Sequence, residues 1–216
     1  MIQVLQNWQE VETATQALQQ SNLPTHITIQ KNWDQWLLAQ LLEAHSIDRQ
    51  SNILDLGCGD CCTLEFLSAL GYTNLHGIDL QVKTESSTYQ LYQGDITATS
   101  FLDSSIDVAV SISVIEHGVD LDAFFREAYR ILKPGGLLFV TTDYWQNKLS
   151  IDNSIQPFGL SWTVFSSAEI ESAIELAKAH GFVLRTNQNI PACTDTPVTW
   201  YQKNYTFLAL TFQKPQ

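Results

Sequence analysis

The chain has 216 residues, of which 44% are hydrophobic and 16% are charged. This length and composition suit one globular α/β domain with small additions. The formal net charge is −12 at pH 7, and such a surface repels the phosphates of nucleic acids and of anionic membranes, which argues against both as partners.

Targeting and redox signals favour a cytoplasmic protein. The first residues lack a basic region followed by a long apolar core, and no apolar run approaches the length of a membrane span. Three of the four cysteines, Cys58, Cys61 and Cys62, crowd one turn, which is poor geometry for structural disulfides. Cys58 and Cys61 have metal-ligand spacing but lack a second pair of ligands, so we expect no metal site.

The N-terminal part, residues 1–46, is predicted to form a helical cover. Apolar residues at helical spacing predict a helix over residues 3–20 and a second helix from Asn32 to about His45. Pro24 separates them. The cover either packs on the sheet or closes over a ligand as a lid, and packing is favoured. Residues 47–216 form the main domain.

A glycine turn follows the first predicted strand of that domain. Residues 53–56 are an apolar run that contains Asp55, and Gly57 and Gly59 come next. Glycines allow a sharp turn and a close approach of the backbone to a ligand. A dinucleotide fingerprint needs a third glycine at position 62, where this chain has Cys62. That departure counts against a nicotinamide cofactor.

Further acids follow later strand-like segments in the same way. Asp79 comes about 20 residues after the glycine turn, where doubly wound sheets place an acid against ribose hydroxyls. Residues 81–87 form a short polar crossover to a β-prone stretch that precedes Asp95. A fourth strand, from Ile106, runs into Glu116 and His117. A helix then ends in a Lys-Pro-Gly-Gly turn and opens a fifth strand over residues 137–141.

The ordered segments DLGCG, GIDL, GDIT, IDVAVSISVIEH and RILKPGGLLFV resemble the small-molecule class I S-adenosylmethionine-dependent methyltransferases of the methyltransferase domain 11 type. The resemblance covers roughly residues 50–145. It implies a doubly wound, Rossmann-like sheet of seven strands, mostly parallel with an antiparallel last strand, and helices on both faces. The last glycine of the family's first motif would stand at position 61, where this chain has Cys61.

The resemblance also implies a site for S-adenosyl-L-methionine. Asp55 and the turn backbone would hold the methionine end, Asp79 the ribose hydroxyls and Asp95 the adenine amino group. Each acid has an alternative role as a helix cap. The implied cofactor-binding residues are Asp55, Gly57, Cys58, Gly59, Asp79, Leu80, Asp95, Ile96, Ser111 and Ile112.

The acceptor side is less determined. The irregular segments 143–165 and 191–204 mix aromatic and polar residues, which indicates contact with a substrate. Glu116 and His117 are candidates for a general base if the acceptor is a hydroxyl. His117 is preferred because its unperturbed pKa lies near neutrality, although both residues also suit a purely structural role in the loop.

The preferred function is methyl transfer to a small molecule, at oxygen or nitrogen, with a sugar or natural product as the favoured acceptor. The alternatives are a non-catalytic protein that binds S-adenosylmethionine and, less favoured, an NAD-dependent oxidoreductase. The last two strands are predicted at residues 182–186 and 205–212.

Overall fold

A parallel sheet forms the centre of the computed structural model, which describes residues 1–82, 86–184 and 189–216. Five strands run parallel in the spatial order β6-β5-β2-β3-β4. The chain therefore turns to opposite sides of β2, and the switch point lies between β2 and β5. The bounds of these strands are β2 Asn52–Leu56, β3 Asn74–Asp79, β4 Gln90–Gln93, β5 Ile106–Ile112 and β6 Leu132–Tyr144.

The remaining strands are antiparallel and gather around the last one. Strand β9 (Lys203–Gln213) lies antiparallel to β6, which confirms the predicted antiparallel last strand. Strands β1 (Ile2–Val4), β7 (Val183–Leu184) and β8 (Val198–Trp200) each pair antiparallel with β9. The described ranges thus contain nine strands instead of the predicted seven.

The N-terminal strand corrects the predicted helix over residues 3–20. Ile2 and Val4 are buried and Gln3 is half-buried, which is the period-two pattern of a strand. Three residues are too few for hydrophobic spacing to separate a strand from the first turn of a helix. Strand β1 lies in the same sheet as the main domain, and the division of the chain at residue 46 stays a prediction.

Helices cover both faces of the sheet. One apolar core joins α4 and α5 to residues such as Leu54, and the other joins α1, α2 and α3 to residues such as Ile53. Neighbouring residues of β2 thus face opposite cores, as expected for a parallel strand buried on both faces. The helices are α1 Trp8–Gln20, α2 Lys31–Ala44, α3 Cys62–Ala69, α4 Leu121–Ile131 and α5 Ser167–Ala179, with a short 3-10 turn at Pro157–Gly159.

Two sequence predictions lie partly outside the described residues. The polar crossover at 81–87 includes residues 83–85, and the strand predicted at 182–186 includes 185 and 186. Among the helices of the described ranges, none is long and apolar enough to span a membrane.

Candidate active site

Strands β2, β3, β5 and β6 end at the same edge of the sheet, because parallel strands present their carboxyl ends together. The residues predicted for the site follow these ends. We describe them as two sides: a turn side, made of residues 55–61 with Asp79 and Asp95, and an acid side around Glu116 and Asp143.

Gly57 and Gly59 have different roles in the turn. Gly57 has φ +88, and a Cβ there would lie 2.6 Å from the methyl carbons of Val114. Gly59 has φ +47, and a Cβ there would meet no atom of the described residues within 4 Å. Gly57 therefore allows close packing against the segment after β5, whereas the space over Gly59 is open.

Asp79 binds the turn directly. The Gly59 amide donates to Asp79 Oδ2 at 2.9 Å, and the Gln81 amide donates to Oδ1 at 3.1 Å. The carboxylate thus joins the end of β3 to the turn after β2. Each oxygen accepts one backbone hydrogen bond and keeps further acceptor capacity.

Asp55 is a buried acid next to the turn, with 2% of its surface exposed. Burial raises its pKa to about 8, and the negative charge of Asp79 adds to the effect. Burial likewise raises the pKa of the Cys58 thiol. These groups are therefore poised to meet a positive or donor-rich partner instead of an anion.

The missing glycine at position 61 has a structural consequence. Cys61 takes the left-handed conformation, with φ +64, immediately before α3. A glycine adopts this conformation without the Cβ clash. Position 61 therefore has a backbone conformation that suits the glycine of the family motif, although the residue in this chain is Cys61.

The residues implied for an adenine ring lie at the ends of β3 and β4. Asp95 is exposed, and its Oδ1 accepts hydrogen bonds from the Thr97 amide and hydroxyl at 2.8 and 2.7 Å. Leu80 is 53% exposed and Ile96 is 8% exposed. Leu80 thus offers apolar surface to solvent beside the turn side.

Strand β5 ends in residues that connect the two sides. Ser111 is buried and its Oγ has no hydrogen-bond partner among residues 1–82, 86–184 and 189–216, while Ile112 is half-buried. Ser113 has φ +54, and its Oγ accepts a hydrogen bond from Lys31 Nζ. Helix α2 is therefore tied to the carboxyl end of β5 by a polar contact.

Three buried carboxyls, Asp34, Glu116 and Asp143, form what we call the acid cluster; they are 0%, 1% and 3% exposed. Lys31 Nζ lies 3.6 Å from Asp34 Oδ2 and 3.8 Å from the centre of the Phe207 ring. Burial raises the pKa of Asp34 to about 6 and also raises that of Asp143, and the nearby Lys31 ammonium opposes both shifts.

Glu116 and His117 respond to burial in opposite directions. Burial and the charge of Asp143 raise the pKa of Glu116 to about 8. Burial and the charge of Lys31 lower the pKa of His117 to about 4. Glu116 Oε2 accepts from the Thr142 hydroxyl at 2.9 Å, whereas Glu116 Oε1 and His117 Nδ1 have no hydrogen-bond partner in the part of the chain that the structure describes.

An aromatic cluster lies beside these acids. It joins His117 after β5 to residues of the two irregular segments and to Tyr205 of β9, and its ring centres lie 4.8–6.2 Å apart in successive pairs. Trp162 Nε1 donates to Asp143 Oδ2 at 2.9 Å and so links the aromatic cluster to the acid cluster. The members are His117, Phe158, Trp162, Trp200, Tyr201 and Tyr205.

Backbone strain accompanies this cluster. Tyr201 and Gln202 form the two-residue turn between β8 and β9 with φ +43 and +59, a turn that normally uses Asn or Gly. Phe158 has φ +58 and is 81% exposed. Unfavourable conformations of this kind concentrate at functional sites.

The sequence missed three members of this side. Asp143 was assigned to an irregular segment, but it lies near the end of β6, so it follows the same pattern of an acid at a strand end as Asp55 and Asp79. Lys31 and Asp34 lie at the start of α2, and Lys31 reaches a serine 82 positions away. Local sequence patterns carry no signal for that contact.

Known proteins share this domain. The family of methyltransferase domains matches residues 54–140. A ubiquinone biosynthesis O-methyltransferase from Caulobacter vibrioides is 36% identical over 101 residues, which are 42% of this chain and 40% of that protein. A sterol 24-C-methyltransferase from Neurospora crassa is 24% identical over 185 residues, 78% of this chain and 48% of that protein.

Solved structures agree with the fold. A methyltransferase from Mesorhizobium loti has a TM-score of 0.57 at 16% identity, and covers 81% of this chain and 96% of its own. The cyclase SpnF has a TM-score of 0.65 at 17% identity, and covers 96% and 93%. The fold alone therefore does not fix the reaction. The chain spans about half or less of the curated relatives' length. The match to the family of methyltransferase domains covers residues 54–140, and the order of the strands and the glycine turn agree with that match.

Proposed function

We propose that this protein is an S-adenosylmethionine-dependent methyltransferase that acts on a small molecule. The glycine turn and its bond to Asp79 carry this proposal. The open space over Gly59, the buried Asp55 and the half-buried Asp79 together offer a cradle with acceptor groups. A ligand with an ammonium and two neighbouring hydroxyls suits that set of acceptors.

The residues fit the cofactor in order along the sheet edge. Asp55 and the turn backbone would hold the methionine end, and Asp79 would accept the ribose hydroxyls. Ser111 Oγ, which is buried and unpaired, would lie near the sulfonium. S-adenosylmethionine, when bound, supplies a methyl group on a positively charged sulfur.

The chain itself contributes positioning and a proton acceptor. Orientation of two reactants provides much of the acceleration in displacement reactions. If the acceptor loses a proton, Glu116 is better suited than His117 to take it, because a carboxyl with a pKa near 8 is a stronger base than an imidazole with a pKa near 4. The sequence-based preference for His117 is thereby reversed in the proposal.

Several features support a small-molecule acceptor. Relatives named for sterol, ubiquinone and arsenite methylation match this chain, and the net charge of −12 disfavours nucleic acid. Oxygen and nitrogen acceptors both fit a carboxylate base, and a sugar or natural product remains the preferred class.

Calorimetric titration of the intact chain with S-adenosylmethionine, S-adenosylhomocysteine and NADH tests the cofactor. Binding of the first two alone would support the proposal. Binding of NADH alone would favour an oxidoreductase, and binding without methyl transfer across a panel of acceptors would favour a non-catalytic protein. A folded protein that binds none of the three would contradict the proposal.

A further inference from the structure

The acid cluster holds more carboxyls than cations. Lys31 lies 3.6 Å from Asp34, donates to Ser113 and stacks over the Phe207 ring. These contacts hold its ammonium near the N-terminal end of α2. Asp34 is the carboxyl nearest to this ammonium, and the same ammonium opposes the raised pKa values of Glu116 and Asp143, so one cation serves three buried acids.

The hydrogen bonds that Glu116 and Asp143 accept come from neutral groups. The Thr142 hydroxyl donates to Glu116 and the Trp162 indole donates to Asp143. Within residues 1–82, 86–184 and 189–216, neither carboxyl forms an ion pair. Buried carboxyls without a cation are costly, and they are generally paired or protonated.

Unpaired polar atoms concentrate in the same place. Buried polar groups are normally hydrogen-bonded, so a group of unpaired ones points to a missing partner. Most of the atoms here are oxygen acceptors, which call for a donor. Within the described residues they are Glu116 Oε1, Ser111 Oγ and His117 Nδ1. Asp34 differs from these groups, because burial raises its pKa but Lys31 and Thr141 lie beside it and oppose that rise.

The aromatic cluster leads from these acids to solvent. The Thr163 amide donates to the Glu116 carbonyl at 3.0 Å, which holds the segment carrying Trp162 against the acid cluster. Trp162 contacts Trp200 with ring centres 5.1 Å apart, and Phe158 is 81% exposed. Aromatic faces attract cations, most strongly where water is excluded.

We propose that the methyl acceptor carries a positively charged amine, which binds between the acid cluster and the aromatic cluster. This inference rests on the proposed function and narrows its substrate class. A neutral polyol would satisfy the unpaired oxygens but would add no positive charge to three buried carboxyls that share the single ammonium of Lys31. An alkylammonium supplies both donors and charge, and its carbon skeleton meets the aromatic rings.

Two matched probes test the proposal. We would measure the affinities of trans-2-aminocyclohexanol and trans-cyclohexane-1,2-diol by saturation-transfer NMR, on the intact chain saturated with S-adenosylhomocysteine. The probes differ by one ammonium in place of one hydroxyl. We expect the amine to bind about tenfold or more tightly than the diol, the range for a charge-assisted hydrogen bond.

Variants locate the interaction. Glu116→Gln keeps the shape and the acceptor for Thr142 but removes a negative charge, and should weaken the amine about tenfold without changing the diol. Glu171→Gln, an exposed change on α5, is the matched control and should change neither. If Glu116→Gln fails to fold, Asp143→Asn replaces it with the same expectation.

The contrary results are distinct. Equal affinities, a tighter diol, or no binding of either probe to protein that still binds S-adenosylhomocysteine would overturn the amine proposal and leave the proposed function intact. Failure to bind S-adenosylhomocysteine would overturn the proposed function itself.

Discussion

The turn side and the acid side of the site treat their polar groups in opposite ways. On the turn side, Asp79 and Asp95 accept hydrogen bonds from nearby backbone amides. On the acid side, Glu116 Oε1 and His117 Nδ1 are buried without a partner among the described residues. The fold itself thus satisfies the acids of the turn side, whereas the acid side keeps unpaired atoms, which fits the proposal that a ligand completes it.

The largest expected effect comes from the acid side. Glu116→Gln removes the proposed proton acceptor, so turnover should fall about 10²- to 10⁴-fold. Cofactor affinity should stay unchanged, because the side chain lies outside the turn side. Methyl-transfer rates and calorimetry on the same preparation measure both, with Glu171→Gln as the control. Equal turnover of Glu116→Gln and the parent protein would remove Glu116 from the chemistry.

The second effect belongs to the turn side. Asp79→Ala removes the bond to Gly59 and the proposed contact to ribose, so S-adenosylmethionine binding should weaken by about 1.5–3 kcal/mol. Asp48→Ala is a matched control, because Asp48 also accepts an amide two residues ahead, from Gln50 at 2.7 Å, but lies before β2. An unchanged Kd in folded Asp79→Ala would exclude Asp79 from the cofactor site.

The two glycines of the turn separate packing from binding. Gly57→Ala forces a Cβ against Val114 at φ +88 and should lower the free energy of unfolding by about 1–3 kcal/mol. Gly59→Ala meets open space, so it should cost about 1 kcal/mol from its left-handed backbone and chiefly weaken cofactor binding. Urea unfolding and calorimetry of both variants measure the contrast.

The opposite result would be equally clear. If Gly59→Ala destabilised the fold as much as Gly57→Ala while binding the cofactor normally, the space over Gly59 would have no role in binding. The contrast between packing and binding therefore depends on Gly57→Ala and Gly59→Ala, which each add one methyl group and lie two positions apart in the same turn.

Sequence predicted the turn side better than the acid side for a physical reason. Asp55, Gly57 and Asp79 lie on or next to strands β2 and β3, where apolar runs with an acid at the strand end are visible in the chain. The acid side needs Lys31 of α2 to reach Ser113 after β5. Such contacts depend on tertiary packing, which local patterns do not encode.

The same limit explains the errors in the fold. Strand β1 has three residues, and its pairing with Leu208–Leu210 of β9 is what makes it a strand. By contrast, the capping box of Ser166 and Glu169 at the start of α5 is local, and its spacing of three residues is visible in the sequence. Features formed within one turn of chain are therefore readable from sequence, and those formed across the sheet are not.

The remaining effect concerns the dependence of stability on pH on the turn side. Asp55 has a folded-state pKa of about 8, against about 3.9 for an unperturbed aspartate. The folded chain thus binds this proton more tightly. The stability it contributes is fully present below about pH 4 and is lost as pH rises to about 8, at up to about 1.4 kcal/mol per pH unit.

Asp55→Asn mimics the neutral carboxyl and removes this dependence. In urea unfolding without cofactor at pH 6 and pH 8, the variant should gain stability relative to the parent protein as pH rises, by about 1.4 kcal/mol per unit at most. Glu116, with a raised pKa, contributes a slope of the same sign to both proteins and cancels in the difference. Parallel pH profiles of the two proteins would mean that Asp55 is ionised in the fold, and the turn side would then carry a standing negative charge before any ligand arrives.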